Sequence, residues 1–329
     1  MTVFFVALAA AAAFAGVGWN AALTNSKAGL RGIHDAGQGV IWASGTDGTV
    51  LRSEDAGYMW QNCTLPADAA KLDFRAVYAW DANRAAVMSS GSGSASRLYE
   101  TKDGGASWRM AFEDPDADGF WDALTFFGTS GFILGDPVNG QFVLYTSRDT
   151  GEHWQRDPAV ELAASHGEGA FAASNSSLAV LPNSEILFGT GGIGGPHVFR
   201  RDKSGAWSVR AVPMAGRKES AGIFSIAFRD DLHGVAVGGD YKEPSQTTGT
   251  AAWTSDGGMT WHAPATLPSG YRSSVGWDRK LQEWIAVGPT GSDLSRDDGR
   301  TWMHFDSGDW NALSLPWVSG PGGRIASLE

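Results

Sequence analysis

The sequence predicts an all-β protein, a β-propeller of seven blades. Three observations predict it: an eight-residue phrase recurs along the chain, strand-like segments precede each copy, and the two ends carry complementary pieces of one further blade. The phrase reads [Ser/Thr]-x-Asp-x-Gly-x-x-Trp in five copies, and a sixth, decayed copy keeps its aspartate. The six aspartates, 41 to 54 residues apart, are Asp55, Asp103, Asp149, Asp202, Asp256 and Asp297. A period of this length is typical of four-stranded propeller blades.

The phrase has the composition of a tight hairpin turn. Its Asp side chain can accept hydrogen bonds from backbone N–H groups that the turn leaves unpaired, and the Ser or Thr hydroxyl can join that network. The Gly permits backbone conformations that other residues resist, and the Trp begins the next strand with a large apolar face. The phrase resembles the Asp box, a structural device of proteins with unrelated activities. It therefore indicates a fold and a structural role for the six aspartates, and no reaction.

Each copy follows two short strand-like segments bounded by Gly-rich turns. In the first blade these segments are 30–33 and 40–45. A seventh pair lies at 310–313 and 323–328 without a following box, while 19–23 has the form of the strand that normally follows one. The sequence therefore predicts that N-terminal and C-terminal strands complete the last blade together, which closes the ring and removes exposed sheet edges.

Composition and charge argue against several classes of function. The chain has 329 residues, with 25 basic and 36 acidic side chains and a formal net charge of −11. Such a surface repels phosphate backbones, so nucleic acid is not expected as a partner. The single cysteine, Cys63, forbids an internal disulfide, and no Cys/His group has the spacing of a metal site. No dinucleotide or haem motif is recognisable, so we predict neither a metal nor a cofactor.

The first fifteen residues have the pattern of a signal peptide. Residues 3–14 form an apolar, Ala-rich run, and 13–15 offer small residues at the positions of a cleavage site. The run is short for a bilayer span, and no basic residue precedes it. We predict a signal peptide at 1–15, a single propeller domain at 16–329 and export to the periplasm or the extracellular space, with an uncleaved anchor as the alternative. No other segment of the sequence is predicted to cross a membrane.

The innermost strands supply a candidate ligand site. Aligning the second residue of each such strand predicts a ring at the mouth of the central channel, formed by Arg31, Arg75, Asp122, Ser176, Ser225, Arg272 and Asn311. Its three arginines come from neighbouring blades, and Arg recognises carboxylate or phosphate in a planar, bidentate manner. The hypothesis is that Arg31, Arg75 and Arg272 hold an anion, with Asp122 and Asn311 beside them. The alternative is that the arginines pair with acidic neighbours and only line a wet channel.

The face opposite the repeated turns holds the candidate catalytic residues. Propeller topology places the most variable loops there, where function on a rigid scaffold usually resides. A glycosidase needs two carboxylates beside its substrate, and the candidates are Asp136, Glu168 and Asp240. His166 and Glu168 are candidates for a proton-transfer pair. Tyr241 is the candidate nucleophile of a sialidase-like reaction.

By these features the mature chain resembles the bacterial Asp-box propellers that are grouped with photosystem II stability/assembly factors. Besides the boxes, the resemblance is carried by Trp19, 30–33, 42–45, 135–137, 167–171 and 238–241. The last three segments resemble a non-photosynthetic branch whose members are often labelled oxidoreductase or sialidase-like. The photosynthetic members are assembly chaperones that use an arginine patch, which is not recognisable in this sequence. The resemblance therefore implies a propeller fold, with an assembly role in the photosynthetic members and no established reaction in the other branch.

Two functions are compatible with these residues. The first is an exported, non-catalytic binding or assembly propeller that engages a protein or an acidic glycan through its loop-rich face and channel mouth. The alternative is a glycoside hydrolase or lyase of acidic sugars, because the three arginines with Asp240 and Tyr241 resemble the parts of a sialidase. However, the Arg-Ile-Pro phrase of sialidases is absent, and those enzymes usually have six blades. We therefore expect the first function.

Overall fold

The computed structural model describes residues 17–66, 68–158 and 162–329. Within these ranges the chain forms seven antiparallel sheets arranged as the blades of a propeller. The all-β, seven-bladed fold predicted from the repeats is confirmed. The predicted signal peptide at 1–15 lies outside the described residues. No helix in the described ranges has the length and apolar character needed to span a membrane.

The strands are numbered in chain order, beginning with β1 (Trp19–Ala22). Blade one contains β2 (Leu30–Gly37), β3 (Val40–Gly45), β4 (Val50–Ser53) and β5 (Gln61–Asn62). Blade two contains β6 (Phe74–Ala79), β7 (Ala85–Ser89), β8 (Arg97–Thr101) and β9 (Arg109–Glu113). Blade three contains β10 (Trp121–Phe127), β11 (Ser130–Val138), β12 (Gln141–Ser147) and β13 (Gln155–Arg156). A short strand that joins the sheet of blade five then follows, β14 (Glu168–Gly169).

Blade four contains β15 (Leu178–Val180), β16 (Ile186–Gly189), β18 (His197–Arg201) and β19 (Trp207–Ala211), and it is interrupted by β17 (Gly191–Gly192). Blade five contains β20 (Lys218–Phe228), β21 (Gly234–Asp240) and β22 (Ala251–Thr254). Blade six contains β23 (Ser274–Asp278), β24 (Glu283–Gly288), β25 (Gly291–Ser295) and β26 (Met303–Asp306). Blade seven contains β27 (Ala312–Ser314), β28 (Trp317–Ser319) and β29 (Ile325–Leu328). Two short 3-10 helices span Gly93–Ala95 and Pro321–Gly323.

The ring is closed by the two ends of the chain. β1 pairs with β29 as the outermost strand of blade seven, with Trp19 opposite Leu328. Gly18 and Glu329 extend this pairing, because each donates its backbone N–H to the carbonyl of the other. The prediction that N-terminal and C-terminal strands share one blade is therefore confirmed, and neither terminal strand is left as an unpaired edge.

The hydrophobic core is divided into layers between adjacent blades. One layer packs Met88 and Leu98 of blade two against Leu124, Ile133 and Tyr145 of blade three. Strands buried on both faces have continuous apolar sequences, as in β7 and β24. Because every blade is covered by its two neighbours, the ring buries apolar side chains without a central core, and the channel is left for polar residues.

Blade five departs from the predicted four-stranded pattern. Its outer strand is reduced to an isolated bridge between Trp253 and His262. On the inner side, β14 and β17 add two short strands, so that the sheet order is β14-β17-β20-β21-β22. These added strands come from the loops before and within blade four, and they join 168–169 and 191–192 to the inner edge of blade five.

The repeated phrase forms the same hydrogen-bonded turn in all five intact copies. In blade one the Ser53 hydroxyl accepts from the Gly57 N–H at 3.0 Å and donates to Asp55 at 2.8 Å, and Asp55 accepts from the Met59 N–H at 2.9 Å. Gly57 has a φ of +80°, and a Cβ there would lie 2.2 Å from Trp317. In the decayed copy, Asp202 accepts backbone N–H groups inside its own short turn. The turns are therefore stabilised locally.

Replacing Thr254 with valine is expected to lower the free energy of unfolding by about 1–3 kcal/mol, the usual cost of an unpaired buried donor. The Thr254 hydroxyl is buried and accepts the N–H of Gly258, which is also buried. Valine keeps the shape and removes the acceptor. Thr260→Val is the matched control. The exposed Thr260 hydroxyl forms hydrogen bonds with Oδ2 of Asp256 and Nε2 of His262. Equal denaturant midpoints for the two variants would contradict the role assigned to Thr254.

Candidate functional site

The innermost strands of four blades carry a β-bulge where they reach the channel mouth. In blade one Leu30 pairs with Gly45 and Gly32 pairs with Ser44, so Arg31 has no partner on the neighbouring strand. The same shift isolates three further residues, which are Arg75, Asp122 and Phe224. A bulge re-aims the side chain of the extra residue. All four bulged residues line one cavity, so the irregularity of the strands builds the site.

We refer to this cavity as the channel-mouth cavity. Its volume is about 460 Å³, which lies within the range of small-ligand sites. In blades six and seven, Ser273 and Asn311 precede the innermost strands and occupy the position of the bulged residues. The full lining comprises Arg31, Arg75, Phe120, Asp122, Asp136, Ala170, Phe171, Ala172, Ala173, Phe224, Tyr241, Tyr271, Ser273, Pro289 and Asn311.

The predicted alignment of the ring is off by one residue in blades five and six. The N–H of Arg272 bonds to a carbonyl of the preceding blade, as does that of Leu30, so these two residues are equivalent. Phe224 and Ser273 therefore correspond to Arg31. The prediction had chosen Ser225, one residue later, in blade five and Arg272, one residue earlier, in blade six. A slip of one residue moves a strand side chain to the opposite face. Arg272 consequently does not line the channel-mouth cavity.

Arg272 instead forms a buried ion pair inside blade six. Its guanidinium contacts Asp293 at 2.6 Å, and both side chains are almost completely excluded from solvent. Further hydrogen bonds join it to Ser269, Thr290 and the carbonyl of Tyr271. Every side of the guanidinium is thus occupied, and the predicted ligand-binding role of Arg272 is corrected to a structural one.

Arg31 and Arg75 form the cationic wall of the cavity. Arg75 is held by Asp73 at 2.8 Å and by the carbonyl of Ala172 at 3.1 Å. Arg31 is half-buried, and no residue in the described ranges forms a hydrogen bond or ion pair with its guanidinium. Burial and the neighbouring charge of Arg75 lower the pKa of Arg31. Arg31 is therefore a cation whose donors remain available to an acidic group.

Asp122 and Asp136 form the acidic wall. Asp122 is 1% exposed, and neither of its carboxyl oxygens has a hydrogen-bond partner among the described residues. Burial, and then the charge of Asp136, raise the pKa of Asp122 well above its usual range, although Arg75 opposes this shift. Burial raises the pKa of Asp136 to about 6, while the Ala170 N–H donates to that carboxylate at 2.9 Å. The acidic wall therefore consists of two neighbouring carboxyl groups whose pKa values are both raised by burial.

Aromatic rings form the third wall. Phe171 and Phe224 stack with ring centroids 3.9 Å apart, and Tyr271 meets Phe224 edge-on at 4.8 Å. Phe120 closes the side near Asp136, and Tyr241 stands at the rim with 47% of its surface exposed. Burial raises the pKa of Tyr271, so its hydroxyl stays neutral. The channel mouth thus combines opposite charges with an apolar surface.

Glu168 has a different partner from the one predicted. His166 is exposed, and the buried Glu168 carboxylate instead accepts from the N–H of Ser165, the hydroxyl of Thr190 and Nδ1 of His197. The His197 contact is 2.9 Å long, and it joins β14 to the first residue of β18. Sequence spacing contains no signal for this pair, because the chain returns to Glu168 only through the added strands of blade five.

The five predicted catalytic residues therefore do not lie together at one site. Asp136 and Tyr241 line the channel-mouth cavity, whereas Asp240 is buried in an ion pair with Lys218 at 3.0 Å. Asp136 and Glu168 both border an adjoining cavity of about 570 Å³. No described residue bonds to the side chain of His166, and it lines neither cavity.

The aromatic wall was not predicted from the sequence. The predicted ring contained charged and polar residues only, with Ser225 in blade five in place of Phe224. The register shift between Ile223 and Ser225 explains this error. Phe171 belongs to the segment 167–171 that carries part of the family resemblance, but only the fold places its ring against Phe224.

Comparison with known proteins gives one match in sequence. No family profile matches the chain. Over 103 residues the chain is 30% identical to the photosystem II stability/assembly factor HCF136, chloroplastic, of Arabidopsis thaliana. The aligned stretch covers 30% of this chain and 24% of that relative, so the match spans about a quarter of the relative's length.

Solved structures share the fold along nearly the whole chain. The structure described as YCF48 bound to D1 peptide is similar with a TM-score of 0.65 and 18% identity, over 94% of this chain and 96% of that one. YCF48 from Cyanidioschyzon merolae has a TM-score of 0.63 and 17% identity, over 94% and 98%. The GH74 xyloglucanase from Xanthomonas campestris has a TM-score of 0.59 and 15% identity, over 95% and 59%. Likeness at these identities shows the fold alone.

The sequence match and the structural matches indicate similarity to the same kind of protein. HCF136 shares a stretch of sequence with the chain, and two YCF48 structures share its seven-bladed ring. The chain is a propeller that resembles the photosystem II stability/assembly factors.

Proposed function

We propose that this chain is a non-catalytic, protein-binding propeller whose channel mouth holds an acidic group of its partner. The observation that carries the proposal is the state of Arg31, which is half-buried and has no partner among the described residues. A buried guanidinium without an acceptor leaves hydrogen-bonding capacity unused. An acidic group from outside supplies that acceptor, and Phe224 and Phe171 receive the apolar atoms beside it.

The comparisons support a protein partner. The structure of YCF48 with a bound D1 peptide shows that a propeller of this kind binds a polypeptide segment. The channel-mouth cavity and the adjoining cavity share Phe120, Asp136, Ala170 and Phe171. Together they offer a continuous surface longer than one side chain, which suits an extended segment. We propose that binding takes place outside the cytoplasm, an expectation that rests on the apolar run at 3–14.

Binding of acidic peptides tests the proposal. Heptapeptides selected from a random displayed library against the full chain are expected to be enriched in acidic and aromatic residues. Arg31→Ala is expected to weaken the selected peptides by about tenfold or more, because a charge-assisted hydrogen bond is lost. Arg148→Ala is the matched control, since that exposed arginine follows β12 at a repeated turn. Unchanged affinity in Arg31→Ala would contradict the proposal.

A second candidate function is hydrolysis of acidic sugars. It is favoured by one observation: Asp122 and Asp136 line the same cavity, and burial raises the pKa of both carboxyl groups, as a carboxylic acid and its partner base require. Release of nitrophenol from 4-nitrophenyl glucuronide would support it if Asp122→Asn abolished the release. Absence of turnover across acidic glycosides that do bind would leave the binding function alone.

A further inference from the structure

We propose that the channel mouth recognises a group of two opposite charges, with an acid held at Arg31 and a cationic hydrogen-bond donor held at the Asp122–Asp136 pair. This inference rests on the proposed function, to which it adds the second half of the ligand. It assigns to Asp122 the binding of the cationic half of the ligand, whereas Arg31 binds the acidic half.

The first step of the argument is the incomplete hydrogen bonding of Asp122. Its carboxyl group is 1% exposed and borders the cavity, and neither oxygen has a partner among the described residues. Buried polar groups are nearly always hydrogen-bonded, because leaving one unpaired costs free energy. The charge of Arg75 acts on Asp122, but its Nε and Nη1 donate to Asp73 and to the Ala172 carbonyl. A donor from outside the chain would complete the site.

The second step concerns the charge of that donor. The two carboxyl groups lie close enough for Asp136 to raise the pKa of Asp122. A hydroxyl or amide would leave the negative charge of Asp136 uncompensated. An ammonium offers three donors and a guanidinium five, and both carry a positive charge. A cationic group therefore matches the acidic wall in hydrogen bonding and in charge.

The third step concerns what joins the two charges. Phe171, Phe224 and Tyr271 line the same cavity as the cationic and acidic walls, and they are in contact with one another. Aromatic faces accept apolar side chains and also attract cations. The chemistry recognised is thus a zwitterion with an apolar body. A peptide segment with neighbouring acidic and basic side chains offers it, and so does a free amino acid.

Four capped peptides test the inference by calorimetry on the full chain. Acetylated and amidated Glu-Phe-Lys is expected to bind more tightly than Glu-Phe-Gln by about tenfold, the ratio expected from a charge-assisted hydrogen bond. Gln-Phe-Lys and Gln-Phe-Gln are expected to bind weakest, because they lack the acid. Asp122→Asn is expected to bring Glu-Phe-Lys down to the affinity of Glu-Phe-Gln while leaving Glu-Phe-Gln unchanged.

The outcomes separate the two proposals. If Glu-Phe-Gln binds in an Arg31-dependent manner but Lys gives no advantage, the bipolar site is wrong and the proposed function stands. If no acidic peptide depends on Arg31, both are wrong. Asp136→Asn provides a second variant, and its loss of the lysine preference would support the carboxyl pair. Binding of free phenylalanine that depends on both Arg31 and Asp122 would support the zwitterion site and assign it to a small molecule.

Discussion

Replacing Asp293 with alanine is expected to lower the free energy of unfolding by about 3–5 kcal/mol, because Arg272 is then left charged and buried without a counter-ion. The two side chains are almost fully excluded from solvent, and Nη2 of Arg272 lies 2.6 Å from Oδ2 of Asp293. Burial lowers the pKa of Arg272, and the Asp293 carboxylate opposes that shift. The remaining side-chain partners, Ser269 and Thr290, are neutral and cannot replace the charge. Chemical denaturation of the purified variant measures the change.

The matched control removes both charges. Arg272→Met combined with Asp293→Leu is expected to recover most of the lost stability, because apolar residues of similar volume commonly replace a buried ion pair at little cost. Arg272→Ala alone is expected to destabilise blade six without weakening the peptides that depend on Arg31. Stability of Asp293→Ala equal to that of the parent chain would show that the ion pair is not formed as described.

The contribution of Asp136 to the free energy of unfolding is expected to fall by about 2 kcal/mol as the pH rises from 4 to 6. Burial raises the pKa of this carboxyl from its usual value of 3.8 to about 6. In this window the folded chain binds a proton that the unfolded chain releases, so stability is present at the lower pH and is lost as Asp136 ionises. Asp122, whose pKa is raised by burial in the same cavity, acts in the same direction.

The aspartates of the repeated turns act in the opposite sense and at lower pH. Hydrogen bonds from Ser107 and His153 lower the pKa of Asp103 and Asp149, respectively, to about 2. Their contribution is present above about pH 4 and is lost as the pH falls through 2. Measurements between pH 4 and 7 therefore exclude the turns. Burial also lowers the pKa of His34 to about 4, so the effect of Asp136 is measured as the difference from a variant that lacks its carboxyl group.

Asp136→Asn is the variant that checks this pH dependence. The amide oxygen can still accept the Ala170 N–H, while the titrating charge is removed. We expect the variant to be more stable than the parent at pH 7 and to have a flatter profile between pH 4 and 6. Parallel profiles for the two proteins would contradict the burial of a titrating carboxyl. A gain in stability would also indicate that the cavity retains Asp136 for binding and not for folding.

The turns and the ring closure were predictable from the sequence because their interactions are local or repeated. Ser53, Asp55 and Gly57 lie within five residues and bond to one another, so their spacing contains the geometry. The same spacing recurs in four other blades. The segment at 19–23 and the pair of segments at 310–313 and 323–328 were recognisable as parts of one blade for the same reason.

Positions in the candidate site were predictable only where the strand register was. Arg31, Arg75, Asp122 and Asn311 were placed at the channel mouth, and the structure brings them together there. Arg272 was misplaced, because one residue of register decides whether a side chain enters the channel or the interior of a blade. Local sequence does not report that register in blades five and six.

The sequence by itself determined the number of blades, the hydrogen-bonded turns and the blade shared by the two chain ends, because each depends on short-range patterns repeated along the chain. Only the tertiary structure decided which side chains meet across the ring. The bulges that aim Asp122 and Phe224 into one cavity depend on the pairing register within each blade. The pairing of Glu168 with His197, and the meeting of Arg31 with Asp122 in one cavity, depend on contacts between strands that are separated in sequence. Burial then sets the pKa of the carboxyls in that cavity, and burial is a property of the closed ring.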